Sequence, residues 1–377
     1  GGEASRPSVV DPRAREDAVA VAMLMADLVR GDLGAFFQGV DRTLSEEGPR
    51  GWRRALAALS HLRDRRYHTG ELKRGALLAA VDEGIRRALD AVPARSEGRP
   101  IGEEGALRVT FEDGWSRPLP EPVDPAASTL VIDARGFPPE GREAACRLVV
   151  EAHRSGYRRF VVFRATGDRF IGCGLGTETD DVRIDVYGSS GDYLGSGMDG
   201  ASIYVHGDAQ DQVGQILKKG RIVVFGSVGQ TFLYGAKGGE AFVRGNAAGR
   251  PLVNAVGRIR AIINGTCLDY CAESFMAGEQ LDGGFVVING LAADEEGGII
   301  GLETKYPGNN LFSLASGGAC YLNDPYATVT EAQLNGASFV PFKQADWNAL
   351  SPYLRLNEEL FGISIRYDLL MAVSYTH

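Results

Sequence analysis

The chain has few of the residues that carry most redox, metal and secretory chemistry. Five cysteines and five histidines serve 377 residues. Cys146, Cys173, Cys267, Cys271 and Cys320 form no Cys-x-x-Cys pair, and none stands at zinc-ligand spacing from a histidine. Their odd number and scatter fit a reducing compartment, where thiols act as small core residues. No apolar run reaches the 18 residues that span a bilayer, and the opening Gly-Gly-Glu-Ala-Ser has no signal-peptide core. A cytoplasmic location is the expectation. Residue 1 is not Met, which reads as a fragment, and the abrupt Ser-Tyr-Thr-His377 reads as a truncated C-terminus. Positive charge is scarce too: 40 Lys and Arg against 49 Asp and Glu leave a net −9, which disfavours nucleic acid and anionic membrane as partners.

Glycine, by contrast, occurs 50 times, and much of it is periodic. Short β-branched and aromatic runs close on Gly188, Gly207, Gly226, Gly245, Gly265 and Gly290, at intervals of 19, 19, 19, 20 and 25 residues. A further cycle, Gly318-Ala-Cys-Tyr-Leu-Asn323, follows an insertion and ends in Asn where Gly is expected. No helical pattern separates one run from the next, so parallel pairing requires a winding chain. The prediction is a right-handed parallel β-helix over 167–325, with coils about 4.8 Å apart. Glycine suits its corners through positive φ and through close approach without a Cβ.

Outside the repeats the chain reads as α+β. Residues 1–95 give four amphipathic helices in a small bundle: Ala14 to Arg30, Asp32 to Leu44, Trp52 to Arg65, and Leu72 to Val92 with Leu78, Val81, Ile85, Leu89 and Val92 on its buried face. Residues 96–128 read as a linker with one strand at Ala106 to Phe111. Residues 129–166 form a small βαβ unit, with Asp133 at a strand end. Residues 326–377 supply helices at Thr328 to Leu334 and Ala345 to Phe361, expected to cap the open solenoid end. Gly172-Cys-Gly-Leu-Gly176 has the glycines of a dinucleotide loop but leads into a strand, which makes it the first solenoid corner.

Three stretches carry a resemblance: Gly195 to Ala201, Gln230 to Gly245, and Asn310 to Asn323. The repeat block resembles the C-terminal domain of the glutamate synthase large subunit, named for its Gly-x-Gly-x-Gly repeats. It is also similar to the formylmethanofuran dehydrogenase component built on such repeats. The resemblance implies a β-helix scaffold without catalytic residues. It also implies partner subunits: an amidotransferase that releases ammonia from glutamine, and a synthase carrying flavin mononucleotide and an iron–sulfur cluster. The amidotransferase nucleophile would be an N-terminal Cys, and residue 1 is Gly; no closely spaced Cys triplet is present to hold a cluster. The expectation is therefore a scaffold with no catalytic, cofactor-binding or metal residues of its own.

Two polar clusters interrupt the repeat. His206, Asp208 and Asp211 place an imidazole and two carboxylates within six residues, a pattern that serves either acid–base work or capping of corner amides. Asp269 and Glu273 stand four apart, so a helical turn would align them to hold a cation or ammonium, or they form a polar bulge. The insertion Ala292 to Asn310 must leave the solenoid surface and is expected to contact a partner protein. Two rivals to the scaffold are a polysaccharide-lyase-like enzyme, which lacks its carboxylate ladder here, and a small-molecule or anion-binding module using the corners as nests.

Overall fold

A computed structural model gives the fold and describes residues 32–46, 51–65, 73–95, 105–116, 118–279, 282–294 and 298–370, with single positions 22, 26 and 30. Twelve strands occur among them: β1 (Ala106–Val109), β2 (Thr129–Asp133), β3 (Arg159–Asp168), β4 (Thr179–Ser190), β5 (Asp199–His206), β6 (Lys219–Val224), β7 (Glu240–Val243), β8 (Arg260–Ile263), β9 (Phe285–Ile288), β10 (Leu291–Ala293), β11 (Ile299–Gly301) and β12 (Ala319–Leu322). Ten lie in one sheet in the order β1 through β9 and then β12, and each pairs in parallel with the next. Chain order equal to strand order, with every pair parallel, defines a parallel β-solenoid, here of about eight turns.

The repeat period sets the register. Ile184 pairs with Ile203, which pairs with Ile222, and the column continues through Ala241, Ala261, Val286 and Cys320. A second column runs Val186, Val205, Val224, Val243, Ile263, Ile288 and Leu322. These side chains point inward, and nearly all are buried in one continuous core. A branched residue stacked on its equivalent in the next coil repeats one packing solution instead of needing a new one at each level.

The sheet does not begin at the repeats. β3 pairs in parallel with β4, with shifts of register at Arg164 and Gly167, and β2 and β1 extend the same sheet. The βαβ unit and part of the segment read as a linker thus form the first levels of the solenoid. The crossover between β2 and β3 contains one helix, Ala145–Arg154. The insertion also differs from its expectation: β10 and β11 form an antiparallel hairpin, but the chain then turns inward and buries Tyr306 completely in the core.

Each coil turns through a corner of alternating φ. Tyr193, Gly195 and Gly197 are positive, as are Gln212, Gly214 and Ile216 one coil later, then Thr231, Leu233 and Gly235, then Arg250, Leu252 and Asn254. Tyr270, Ala272, Ser274 and Asn310, Phe312, Leu314 continue the series, and Phe170, Gly172 and Gly174 begin it. The middle amide of each corner donates to the preceding coil: Gly195 to Ile171, Gly214 to Leu194, Leu233 to Val213 and Leu252 to Phe232, at 2.7–2.8 Å. The outer two donate to the following coil, as Gln212 does to Gln230 and Ile216 to Tyr234. Gly172 to Gly176 is accordingly a solenoid corner, and the amides are spent between levels.

The closing glycines meet a different demand. Gly188 and Gly290 have positive φ, at +118° and +59°, while Gly207, Gly226, Gly245 and Gly265 do not. At Gly207 the constraint is space, since a Cβ would lie 2.1 Å from the Gly188 carbonyl oxygen.

Four of the described helices fall in a second compact unit. It contains α1 (Leu33–Glu46), α2 (Gly51–Asp64), α3 (Arg74–Asp90) and, from the C-terminal region, α6 (Gln344–Phe361). Between α3 and α6, α4 (Phe111–Ser116) and α5 (Ala145–Arg154) belong to the solenoid unit. Asp32 caps α1 by accepting from the Ala35 amide at 2.8 Å. In α3 the buried face is Leu77, Val81, Ile85 and Leu89, with Leu77 in the place expected of Leu78. Gly84 lets it approach Leu59 of α2. The helix expected over Ala14 to Arg30 falls almost wholly outside the described residues. The segment expected to be helical at Thr328 to Leu334 contains only a single 3₁₀ turn, Glu331–Gln333. The helix expected as a solenoid cap, α6, is grouped with α1 to α3; it starts where Asp346 accepts from the Lys343 amide and ends at Gly362 in the left-handed conformation.

A Gly207→Ala substitution is expected to cost about 3 kcal/mol, because neither backbone can give way without breaking the register of the stack. Urea unfolding measures it.

Candidate functional site

Strand alternation divides the polar residues of the solenoid between a corner and the outer face of the sheet. At the corner, Asp208 Oδ1 accepts from the Ser227 amide at 2.7 Å, and Asp211 Oδ1 from the Gln230 amide at 2.8 Å. Ser227 and Asn246 repeat the device, receiving the amides of Asn246 and Thr266. Asp269 does the same for Asn309 at 2.7 Å. Each side chain therefore satisfies a donor in the following coil, in the way an N-cap residue satisfies a helix.

The helical turn expected to align Asp269 with Glu273 does not form. Tyr270, Ala272 and Ser274 all have positive φ, between +51° and +61°, because the corner geometry of earlier coils is imposed here without glycine. Tertiary register outweighs local preference at this point. Glu273 is half-buried and its peptide carbonyl accepts from the Asn254 amide.

His206 lies away from Asp208 and Asp211. It occupies the last position of β5 on the outer face, with 5% of its side chain exposed. Tyr187 stacks on one side at 4.1 Å between centroids, and Phe225 stacks on the other at 5.2 Å. Nε2 lies 3.2 Å from Asp185 Oδ1. Arg183 grips the same carboxylate through two bonds of 2.8 Å, while its guanidinium lies over the Tyr204 ring. Burial pushes the Asp185 carboxyl up, but the Arg183 charge and the bonds from Arg183 and His206 outweigh it and hold it well below the usual carboxylate range. The neighbouring level has a second pair, Arg221 with Glu240 at 2.9 Å. Farther along, Asn289 donates to Asn264 Oδ1 at 2.8 Å and Asn264 donates to the Val243 carbonyl at 2.9 Å, an amide ladder across two levels.

Local motif reading misses this arrangement, although the sequence carries a signal for it. Counting 19 back and 19 forward from His206 lands on Tyr187 and Phe225. A period that stacks glycines must also stack the residues beside them. What the cluster offers chemically is a sandwiched ring on a charge-balanced carboxylate, a brace between levels.

The cysteines are also absorbed by the core. Cys267 and Cys271 are fully buried, and Cys271 is pushed well above the ordinary thiol value by its bond with Cys267 and by burial. Burial raises Cys320 in the same way and pushes Cys173, whose thiol donates to the Tyr193 carbonyl at 3.0 Å, up to about 12. Cys271, Cys320 and Cys173 are thus thiols with little thiolate character. Among the described residues, no group of three or more His, Cys, Asp or Glu is placed to hold a metal ion, and no helix is long and apolar enough to cross a membrane.

An all-parallel solenoid whose corners alternate in φ and whose polar residues serve the stack belongs to the class of repeat-built β-helix domains. The GXGXG motif family model matches residues 161–351, half of the chain, and the chain belongs to that family. It is 34% identical over 142 residues to Glutamate synthase [NADH] of Schizosaccharomyces pombe, covering 33% of this chain and 6% of that protein. It is 31% identical over 165 residues to Ferredoxin-dependent glutamate synthase 1 of Arabidopsis thaliana, covering 44% and 8%. With the Glutamate synthase [NADPH] large chain of Bacillus subtilis it shares 30% over 142 residues, covering 33% and 9%. The matched region thus spans less than a tenth of these relatives. No solved structure gives a significant match to the chain.

Replacing Asp185 by Asn removes the charge that holds Arg183 and His206. Arg183 is 45% exposed and can turn to water, so the expected cost is modest, about 1–2 kcal/mol at pH 7. Because the folded carboxyl sits below its unfolded value, the stabilisation is present above about pH 4 and fades as pH falls through the folded value. Unfolding curves of the two proteins should therefore converge toward strong acid.

Proposed function

We propose that the chain is a non-catalytic solenoid component of a glutamate-synthase-like oxidoreductase. It organises an amidotransferase and a flavin/iron–sulfur synthase carried on other subunits, in the glutamine-dependent ammonia transfer of cytoplasmic glutamate biosynthesis. On this reading, flavin mononucleotide and the cluster reside on those partners. Membership of the GXGXG family, and relatives named as glutamate synthases of which it matches less than a tenth, support the class of complex.

The observation that carries the scaffold reading is how the polar groups are used. Asp208, Asp211 and Asp269 bond to backbone in the next coil, and the corner amides donate to neighbouring carbonyls. A surface whose donors are already committed supports a rigid spacer. The same fact weighs against the anion-binding module, which needs those amides free to point at a ligand.

Affinity isolation of the chain from the organism that encodes it, followed by assay for glutamine-dependent glutamate formation, tests the proposal. A glutaminase and a flavoprotein are expected to co-purify with activity in the recovered assembly. Recovery of the chain alone, from cells in which that activity is present, contradicts it.

A further inference from the structure

The first levels of the solenoid join the glycine repeats through β3 and β4, and this ladder is irregular at its C-terminal end. Its register shifts twice, at Arg164 and Gly167, where φ is +59° and +111°. Asp168, the last residue of β3, closes the bulged end by accepting from the Thr166 amide through Oδ2 at 3.1 Å. It pairs in register with Ser190, the last residue of β4. Ser190 heads a column that continues through Ala209, Val228 and Ala247, all in the core. The register thus sets a carboxyl group beside the apolar interior, and Asp168 is only 7% exposed.

The surroundings of Asp168 give a negative charge little support. Among the described residues, no Lys, Arg or His forms an ion pair with it. The arginines nearest in the chain are engaged elsewhere, Arg164 with Asp133 and Arg169 with Glu140 and Asp192. In the next coil Asp208 caps the Ser227 amide, and on α5 the Cys146 thiol is itself pushed up by burial. The Ser190 hydroxyl, beside Asp168 in register and fully buried, could donate to a carboxylate there, yet it makes no hydrogen bond. Asp185 shows the contrast, since Arg183 and His206 both bond its carboxylate. Burial raises the Asp168 carboxyl above its ordinary value, against the amide bonds from Thr166 and from Asp168 itself that lower it.

We infer that Asp168 is a proton-linked latch: the neutral acid is the form that closes the bulged end of β3 on β4, and the carboxylate is the form that lets this end open to water. Opening is local, because the two shifts of register already interrupt the ladder there. It frees the segment that leads into the first corner. A folded value above the unfolded one gives stability that is complete below about pH 4 and is lost as pH rises through the folded value. The inference is independent of the glutamate-synthase reading.

Hydrogen exchange of the purified full chain between about pH 5 and about pH 8, corrected for the intrinsic rate, tests it, with Asp168→Asn alongside. In the native chain the amides of residues 165–172 are expected to open more readily as pH rises, while those of β5 and β6 do not. In the variant that rise is absent. Thermal unfolding carries the same sign: Asp168→Asn is expected to melt above the native chain at about pH 8, and the two to converge near pH 4. Opening of 165–172 that does not change with pH in the native chain would overturn the inference, as would a rise that persists in the variant. So would a variant that melts no higher than the native chain at about pH 8 or fails to fold, because a neutral side chain is what the closed form holds.

Discussion

The structure depends on one constraint: each coil must bring its backbone back into register with the coil before it. Only then do peptide groups in strand and corner alike find partners in the next level, and buried unpaired peptide groups cost about 1–3 kcal/mol each. The near-constant repeat of 19 residues is the covalent expression of that constraint. The columns of branched residues in the core and the stacked rings of Tyr187, His206 and Phe225 outside it are its side-chain expressions.

The corner shows which effect wins when local and global preferences conflict. Left-handed backbone at a non-glycine residue costs about 1–2 kcal/mol, yet Gln212, Ile216, Thr231, Leu233, Arg250 and Leu252 all adopt it. Their amides gain bonds to adjacent coils that no right-handed alternative would provide. Glycine therefore appears at some levels of the corner and is dispensable at others. At Gly207 it is the distance to the Gly188 carbonyl that admits no side chain, and at Gly226, Gly245 and Gly265 a Cβ would first meet the capping oxygens of Asp208, Ser227 and Asn246.

Much of this could be read from the sequence because a solenoid repeats itself in sequence as it does in space. The repeat strands and their parallel order followed from pattern alone. What was not legible depended on register imposed from elsewhere. Asp269 and Glu273 have helical spacing, but the preceding coils dictate a corner there. Tyr306 sits in an insertion read as leaving the surface, yet its ring completes the core beneath an irregular level. The Arg183–Asp185–His206 group joins residues on neighbouring coils, so windows of local sequence do not reveal it. The grouping of α6 with the first helices rests on contacts between the two ends of the chain, for which helix patterning carries no signal.

For function, the glycine ladder is a packing device, and its amides belong to the stack. Native-state hydrogen exchange tests this most directly. The account predicts that the amides of Gly195, Gly214, Leu233 and Leu252 open only with global unfolding, with protection equal to that of β5 and β6. Exchange of these corner amides at the rate of exposed turns, or their protection only when an anion is added, would contradict it.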